Sequence, residues 1–247
     1  MVNLSAFVDF HARVTPGREA VLYDGLRITW ADLAQRQRAV AGVLHARGVR
    51  HGDVVAVLMK NSAAYLDISF AVSWLGAVLL PVNYRLARTE VDYIVRNADA
   101  RVLCVDEELT ALAAGTDEVI VLGAAAQRDP RALGAGAPLP PCTPRRPDDL
   151  MRLMYTSGTT AHPKGVPHTY ANFYWKNVDH VITLGITRDS RANVVGPLYH
   201  VGGMDLPGIN TLWQGGLVYI HRDFDPEATV AAIAAELDAR FAAVAAQ

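Results

Sequence analysis

Five hydroxyl-bearing side chains, two glycines and a lysine fall within eleven consecutive positions, Tyr155-Thr156-Ser157-Gly158-Thr159-Thr160-Ala161-His162-Pro163-Lys164-Gly165. The segment directly follows an apolar run with the look of a buried strand. Such a concentration suits an anionic ligand, and phosphate is the obvious one. Glycines let backbone N–H groups approach oxygen atoms, the hydroxyls of Thr156, Ser157, Thr159 and Thr160 donate further hydrogen bonds, and the Lys164 ammonium offsets charge. A solvent loop draws on the same residue types and is the plain alternative.

Spacing separates this segment from two familiar phosphate loops. A Walker A loop counted from Gly158 would need its second glycine at 163, which is Pro163, and a hydroxyl residue after Lys164, where Gly165 and Val166 stand. No Gly-x-Gly-x-x-Gly fingerprint follows the early strands either, which disfavours a dinucleotide dehydrogenase. A second candidate is His200, placed between a strand-like run and Val201-Gly202-Gly203, a loop position suited to ligand contact; a histidine satisfied in the core is the alternative. His162 and His168 flank the signature without the partners or spacing of a metal site and read as surface residues, and no metal ligand set is expected. Trp74, Trp175 and Trp213 lie in helical-period stretches and read as packing residues, while Arg145 and Arg146 read as solvated.

Elements that could position these residues alternate along the chain. Thr29 can cap a helix with Trp30, Leu33, Ala34, Ala41 and Leu44 on one face and Gly48 at its end. Val54 to Met59 then reads as a strand covered on both faces. Asn61 or Ser62 opens a helix that ends near Gly76, Val78 to Val82 is a strand, and Thr89 and Glu90 open a helix before strands at Arg101 to Val105 and Glu118 to Leu122. Ala124 to Asp149 holds six prolines, so neither helix nor central strand is expected there, only a surface connection. Alternation resumes with strands at Leu150 to Tyr155, Ala192 to Leu198 and Leu217 to Ile220. Helices are expected at about 169–183, 203–213 and 226–243. The pattern predicts an α/β fold of doubly wound, mainly parallel sheets with helices on both faces. It divides into two consecutive subdomains, residues 1–123 and 150–247, joined by the Pro/Gly-rich connection 124–149.

Composition narrows the classes. The 247 residues carry 23 basic and 25 acidic side chains, a formal net charge of −2, so no excess of positive charge marks out a nucleic-acid partner. Half of the residues are apolar and mean hydropathy is +0.14, ample for a core. Two cysteines, Cys104 and Cys142, cannot form a dense disulfide framework, and the N-terminus shows no basic stretch followed by an apolar one. A cytoplasmic protein is expected. The longest apolar stretch, Phe70 to Val82, falls short of the ~20 residues a spanning helix needs, so no membrane span is expected.

Thr-Ser-Gly-Thr-Thr-x-x-Pro-Lys-Gly, here Thr156 to Gly165, resembles the phosphate-binding signature of the adenylate-forming superfamily. That superfamily comprises acyl-CoA synthetases, peptide-synthetase adenylation domains and luciferases. The resemblance extends to Gly52-Asp53-Val54-Val55, Gly76-Ala77-Val78, Pro81-Val82-Asn83-Tyr84-Arg85-Leu86 and Pro197-Leu198-Tyr199-His200; Asn83-x-Arg85-Leu86 and Phe224-Asp225-Pro226-Glu227 look most like acyl-CoA synthetases.

The resemblance implies that Thr156, Ser157, Gly158, Thr159, Thr160 and Lys164 surround the ATP β- and γ-phosphates. Lys164 and His200 would be catalytic, and His200, Val201 and Gly202 would belong to the substrate pocket. It implies activation of a carboxylic acid as acyl-adenylate and transfer to CoA. No Phe-Asp-x-Ser segment, which amino-acid-activating relatives use, occurs near Tyr199, so a fatty, aryl or similar acid is expected. The family's Tyr-Gly-x-Thr-Glu segment, whose Glu holds Mg2+, and its C-terminal lysine have no counterpart in these residues. The expectation is therefore an N-terminal portion, inactive alone, with the rest of a parent chain as partner. The family precedent and the large apolar fraction are compatible with a homodimer. Ala161, where the family has glycine, motivates one alternative, a ligase that forms thioesters from a supplied acyl-adenylate. A non-catalytic binding module retaining half of the fold is the other.

Overall fold

Helix starts and stops in this chain are set by its small polar residues and glycines. The Thr29 hydroxyl accepts from the Asp32 N–H and the Asp32 carboxylate accepts from the Thr29 N–H, a reciprocal box at the head of a helix. Ser62 caps the next one, and Gly76 ends it at φ +76°, a conformation that favours glycine. A computed structural model of the protein describes residues 3–134, 138–156 and 162–245.

The elements run α1 Leu4–Val14, β1 Glu19–Tyr23, β2 Leu26–Thr29, α2 Trp30–Ala46, β3 Val54–Leu58, α3 Ala63–Leu75, β4 Val78–Pro81, α4 Arg88–Asn97, β5 Ala100–Asp106, β6 Val119–Leu122 and α5 Ala124–Arg128. They continue with β7 Leu150–Thr156, β8 Lys164–Thr169, α6 Tyr170–Leu184, β9 Arg191–Val194, α7 Val201–Gly203, α8 Asn210–Trp213, β10 Leu217–Ile220 and α9 Pro226–Ala245. A six-stranded sheet has the order β6-β5-β3-β4-β7-β8 and a four-stranded sheet the order β2-β1-β10-β9. Pairing is parallel except at the β1–β2 and β7–β8 hairpins. This is the expected α/β fold of mainly parallel sheets. The expected boundaries at 123 and 150 divide the chain but not the sheets, because each sheet takes strands from both sides of the connection.

Strand β3 shows why its sequence is apolar throughout. Val55 and Val57 join a large core with α1, α2 and α3, whereas Ala56 and Leu58 join a second core with Val91, Ile94 and Val95 of α4. Alternate residues thus serve opposite faces of a fully covered sheet. The large core also contains Val21 of β1 and Val218 and Ile220 of β10, so it runs continuously onto the four-stranded sheet. Cys104 lies in it, its thiol pushed up to about 12 by burial, which makes it a packing residue.

Several expectations are corrected. The first elements, α1 and the β1–β2 hairpin, precede the alternation read from residue 29. The connection 124–149 contains α5 and a 3-10 turn at Pro130–Leu133. Arg145 is buried rather than solvated: it donates to the carbonyls of Ser73, Thr143 and Pro144 and to the Tyr170 hydroxyl. Arg146 is exposed and pairs with Asp149. Trp74 is buried and donates to the Pro140 carbonyl, but Trp175 is exposed on α6. The helix expected at 203–213 is broken at Leu206 (φ −126°, ψ 105°). In the sequence Leu206 precedes a proline, and a residue in that position is biased towards the extended region.

Candidate functional site

The two ends of the hydroxyl-rich signature lie on the β7–β8 hairpin. Thr156 ends β7, Lys164 begins β8, and the two are register partners, which brings their Cα atoms to about 4.5–5.5 Å in an antiparallel ladder. Both side chains are exposed. Lys164 and Gly165 therefore belong to a strand, not to the loop expected from the sequence. Gly165 lies opposite Tyr155, and a Cβ there would stand 3.2 Å from the Tyr155 ring and 3.1 Å from Leu153. Ser157, Gly158, Thr159 and Thr160 lie outside the described residues, as does Ala161.

Thr156 opens onto a cleft of about 510 Å³ at the carboxyl ends of β4 and β7, where ligands bind in open α/β sheets. His200 and Val201 wall the same cleft, as do Tyr155 and Asn83. His200 is exposed at the head of α7, and its Nδ1 accepts from the Gly202 N–H at 3.2 Å. A neutral ring then carries its proton on Nε2, a donor available to an oxygen in the cleft. Gly202 donates to the His200 cap and does not itself wall the cleft.

The loop that carries His200 is held by a residue sequence reasoning took only as a helix start. The buried Asn61 amide donates to the carbonyls of Gly196 (2.8 Å) and His221 (3.0 Å) and accepts from the Leu198 N–H (2.7 Å). Gly203 packs so closely behind this loop that a Cβ would lie 2.4 Å from the Pro197 carbonyl oxygen and 2.5 Å from that of Gly196. Tyr199 meets Tyr84 edge to face at 5.4 Å. Asn61→Ala leaves three backbone groups without this partner, and should cost about 1–3 kcal/mol in urea denaturation; a change under about 0.5 kcal/mol would show that the clamp is not needed.

A second cleft of about 420 Å³ adjoins the first, sharing His168 and Val201 with it. Beneath it Arg152 of β7 makes a bidentate pair with Asp205, both contacts at 2.8 Å, and Lys176 of α6 lies 2.6 Å from the same carboxylate. Burial alone would raise the Asp205 carboxyl, but the hydrogen bonds and charge of Arg152, with Lys176, hold it below its ordinary value. The Arg152 guanidinium donates to His168 Nδ1 at 3.0 Å. His168 is thus half-buried and partnered, not the surface residue expected; His162 is exposed and stacks on Tyr93 at 4.8 Å. None of these ions stood out in the sequence, because their partners lie on other elements.

Another recess, about 450 Å³ beside Tyr23 and Arg222, contains none of the signature residues. Arg222 is committed there to Asp106, Glu108 and Gln127. Among the described residues no group of three His, Cys, Asp or Glu side chains could hold a metal ion, and no helix is long and apolar enough to cross a membrane.

Burial lowers the pKa of His11, His168 and His221 below the ordinary 6.5. The unfolded chain then binds more protons than the folded one as these rings titrate. Their contribution to stability is full above about pH 6.5 and is lost as pH falls through that value towards the folded pKa. The melting temperature should fall between pH 7 and pH 5, and His168→Gln should make the fall smaller; an unchanged pH dependence in the variant would contradict this.

Residues 8–245 match the family described as AMP-binding enzyme. Feruloyl-CoA synthase of an Amycolatopsis species is 38% identical over 229 residues, 91% of this chain and 45% of that protein. 2-Succinylbenzoate–CoA ligase of Geobacillus kaustophilus is 34% identical over 232 residues, 92% of this chain and 45% of that protein. The structure of o-succinylbenzoate CoA synthetase from Bacillus subtilis with its acyl-adenylate intermediate superposes with a TM-score of 0.80 at 26% identity, covering 93% of this chain and 46% of that one. The chain thus spans about half the length of the curated relatives it matches.

Proposed function

Because this chain belongs to the AMP-binding enzyme family, we propose that it is the N-terminal portion of an acid–thiol ligase that activates an aryl or similar carboxylic acid with ATP and passes it to CoA. The single observation that carries the reading is that Thr156 and His200, distant in sequence, wall one cleft at the carboxyl end of the parallel sheet. The names of the relatives support an aryl acid, since both ferulate and 2-succinylbenzoate are aromatic acids.

In the first half-reaction a carboxylate oxygen attacks the α-phosphorus of ATP. The bond from that phosphorus to the bridging oxygen breaks, and pyrophosphate leaves with the electron pair. Thr156, Ser157, Gly158, Thr159, Thr160 and Lys164 hold the β- and γ-phosphates, so charge developing on the leaving group meets donors and a cation already in place. His200 donates from Nε2 to an oxygen of the acid, with Val201 beside it, and this holds the carboxylate for in-line attack. In the second half-reaction the CoA sulfur attacks the acyl carbon, the thiol proton leaves to solvent, and AMP departs with the electrons of the carbon–oxygen bond.

The test is ATP–pyrophosphate exchange by the whole protein that carries this chain, with cinnamate, benzoate, hexanoate and phenylalanine as acids. Exchange is expected with the aryl acids and not with phenylalanine. Exchange with no acid, or with phenylalanine alone, would refute the reading.

A further inference from the structure

From the second cleft we infer that Lys176 is a specificity-determining residue that selects acids carrying an anionic oxygen, such as a second carboxylate, at the end remote from the activated one. The inference rests on the acid activation proposed above. The two clefts share His168 and Val201, so they are adjoining lobes of one depression, and an acid with its carboxylate at His200 extends past Val201 into the second lobe. The walls of that lobe include Phe173, Val201 and Leu206, which suit an apolar or aromatic body.

Charge beneath the lobe is not balanced. Arg152 and Asp205 neutralise each other in a bidentate pair whose side chains are 3% and 1% exposed. Lys176 shares the same carboxylate and is left as the surplus cation, its side chain 31% exposed. Its ammonium stands 4.9 Å from the centre of the Phe173 ring, so cation and aromatic wall occupy the same part of the lobe. Burial, opposed by Asp205, lowers the Lys176 pKa, the sign of an ammonium short of compensation. Close by, His168 spends Nδ1 on Arg152, so its neutral ring offers an Nε2–H donor. The ammonium nitrogen is itself buried, so a neutral tail would leave its surplus charge uncompensated, whereas an anionic oxygen brought against it would supply the missing counter-charge.

Equilibrium binding of cinnamate and 4-carboxycinnamate to the whole protein that carries this chain tests the inference. The dicarboxylate should bind at least about tenfold more tightly, which is about 1.4 kcal/mol. Lys176→Met should reduce the preference below about twofold, and Lys176→Arg should keep most of it. A control independent of any variant is 4-carboxycinnamate esterified at the ring carboxylate, which should bind like cinnamate. Equal binding of the two acids, binding of neither, or a preference that survives in Lys176→Met would overturn the inference. Pyrophosphate exchange with cinnamate in the same preparation then tells whether the proposed activity stands without it.

Discussion

Replacing Lys164 with alanine should slow acyl-adenylate formation about 100- to 1,000-fold in the whole protein that carries this chain, the range found when one preorganised charge-stabilising donor is removed. The lysine starts β8 as the register partner of Thr156, so its ammonium is tethered to a strand at the mouth of the signature. In the proposed reaction that tether would keep the cation near the leaving pyrophosphate as charge develops. Its side chain is exposed, so the melting temperature should barely move. Lys164→Arg should restore part of the rate, because it returns charge with a different shape. Thioester formation from synthetic acyl-adenylate should be spared, since pyrophosphate has left before that step. A slowing of less than threefold in pyrophosphate exchange would remove Lys164 from the proposed machinery. Equal losses in both half-reactions would mean that the lysine acts on the AMP portion instead.

Asp67→Ala should destabilise the fold by about 3–5 kcal/mol, the cost of stranding a buried charge. Asp67 on α3 and Arg36 on α2 are 0% and 5% exposed, and the guanidinium meets the carboxylate at 2.8, 3.1 and 3.2 Å. Arg36 also donates to the Arg128 carbonyl at 2.7 Å, which ties α5 to the same point. In Asp67→Ala the guanidinium keeps that carbonyl but loses its counter-charge. Urea denaturation should show a lower midpoint at unchanged slope. The double variant Arg36→Met, Asp67→Leu should recover most of the loss, because well-packed apolar residues replace a buried pair at little cost. A loss below about 1 kcal/mol in the single variant would show that water or another group compensates Arg36.

What could be read beforehand followed local chemistry. Ser62 and Gly76 bracket α3, and the apolar run of β3 announced a strand covered on both faces. The β1–β2 hairpin carried a usable signal in Asp24-Gly25, with φ of +46° and +71°, between two short apolar runs. Strand β8 was hidden by Gly165 and Pro167. A proline cannot donate to a ladder, yet β8 lies at the sheet edge, where that loss is tolerated. Sheet order was not legible, because β1 pairs with β10 from the far end of the chain.

The site divides in the same way. Thr156 and His200, which wall the cleft, were marked beforehand by motif and by loop position; Lys164, marked by the same motif, begins β8 and does not wall the cleft. Asn61, Arg152, Lys176 and Asp205 were not marked: a lone polar residue among apolar ones looks like a cap or a solvated face until its distant partner is known. Arg145 misled for the same reason, since the carbonyl of Ser73 and the hydroxyl of Tyr170 that receive it lie on α3 and α6.

The central claim is that Thr156 and His200 border a cleft in which an acid and a nucleotide tail meet. A crystal structure of the whole protein that carries this chain, with a non-hydrolysable aryl-adenylate analogue, tests it most directly. The analogue should lie between Thr156 and His200, with His200 Nε2 within hydrogen-bond distance of an analogue oxygen and the aryl group directed past Val201. An analogue bound elsewhere, for instance beside Arg222, with Thr156 and His200 facing bulk water, would contradict it.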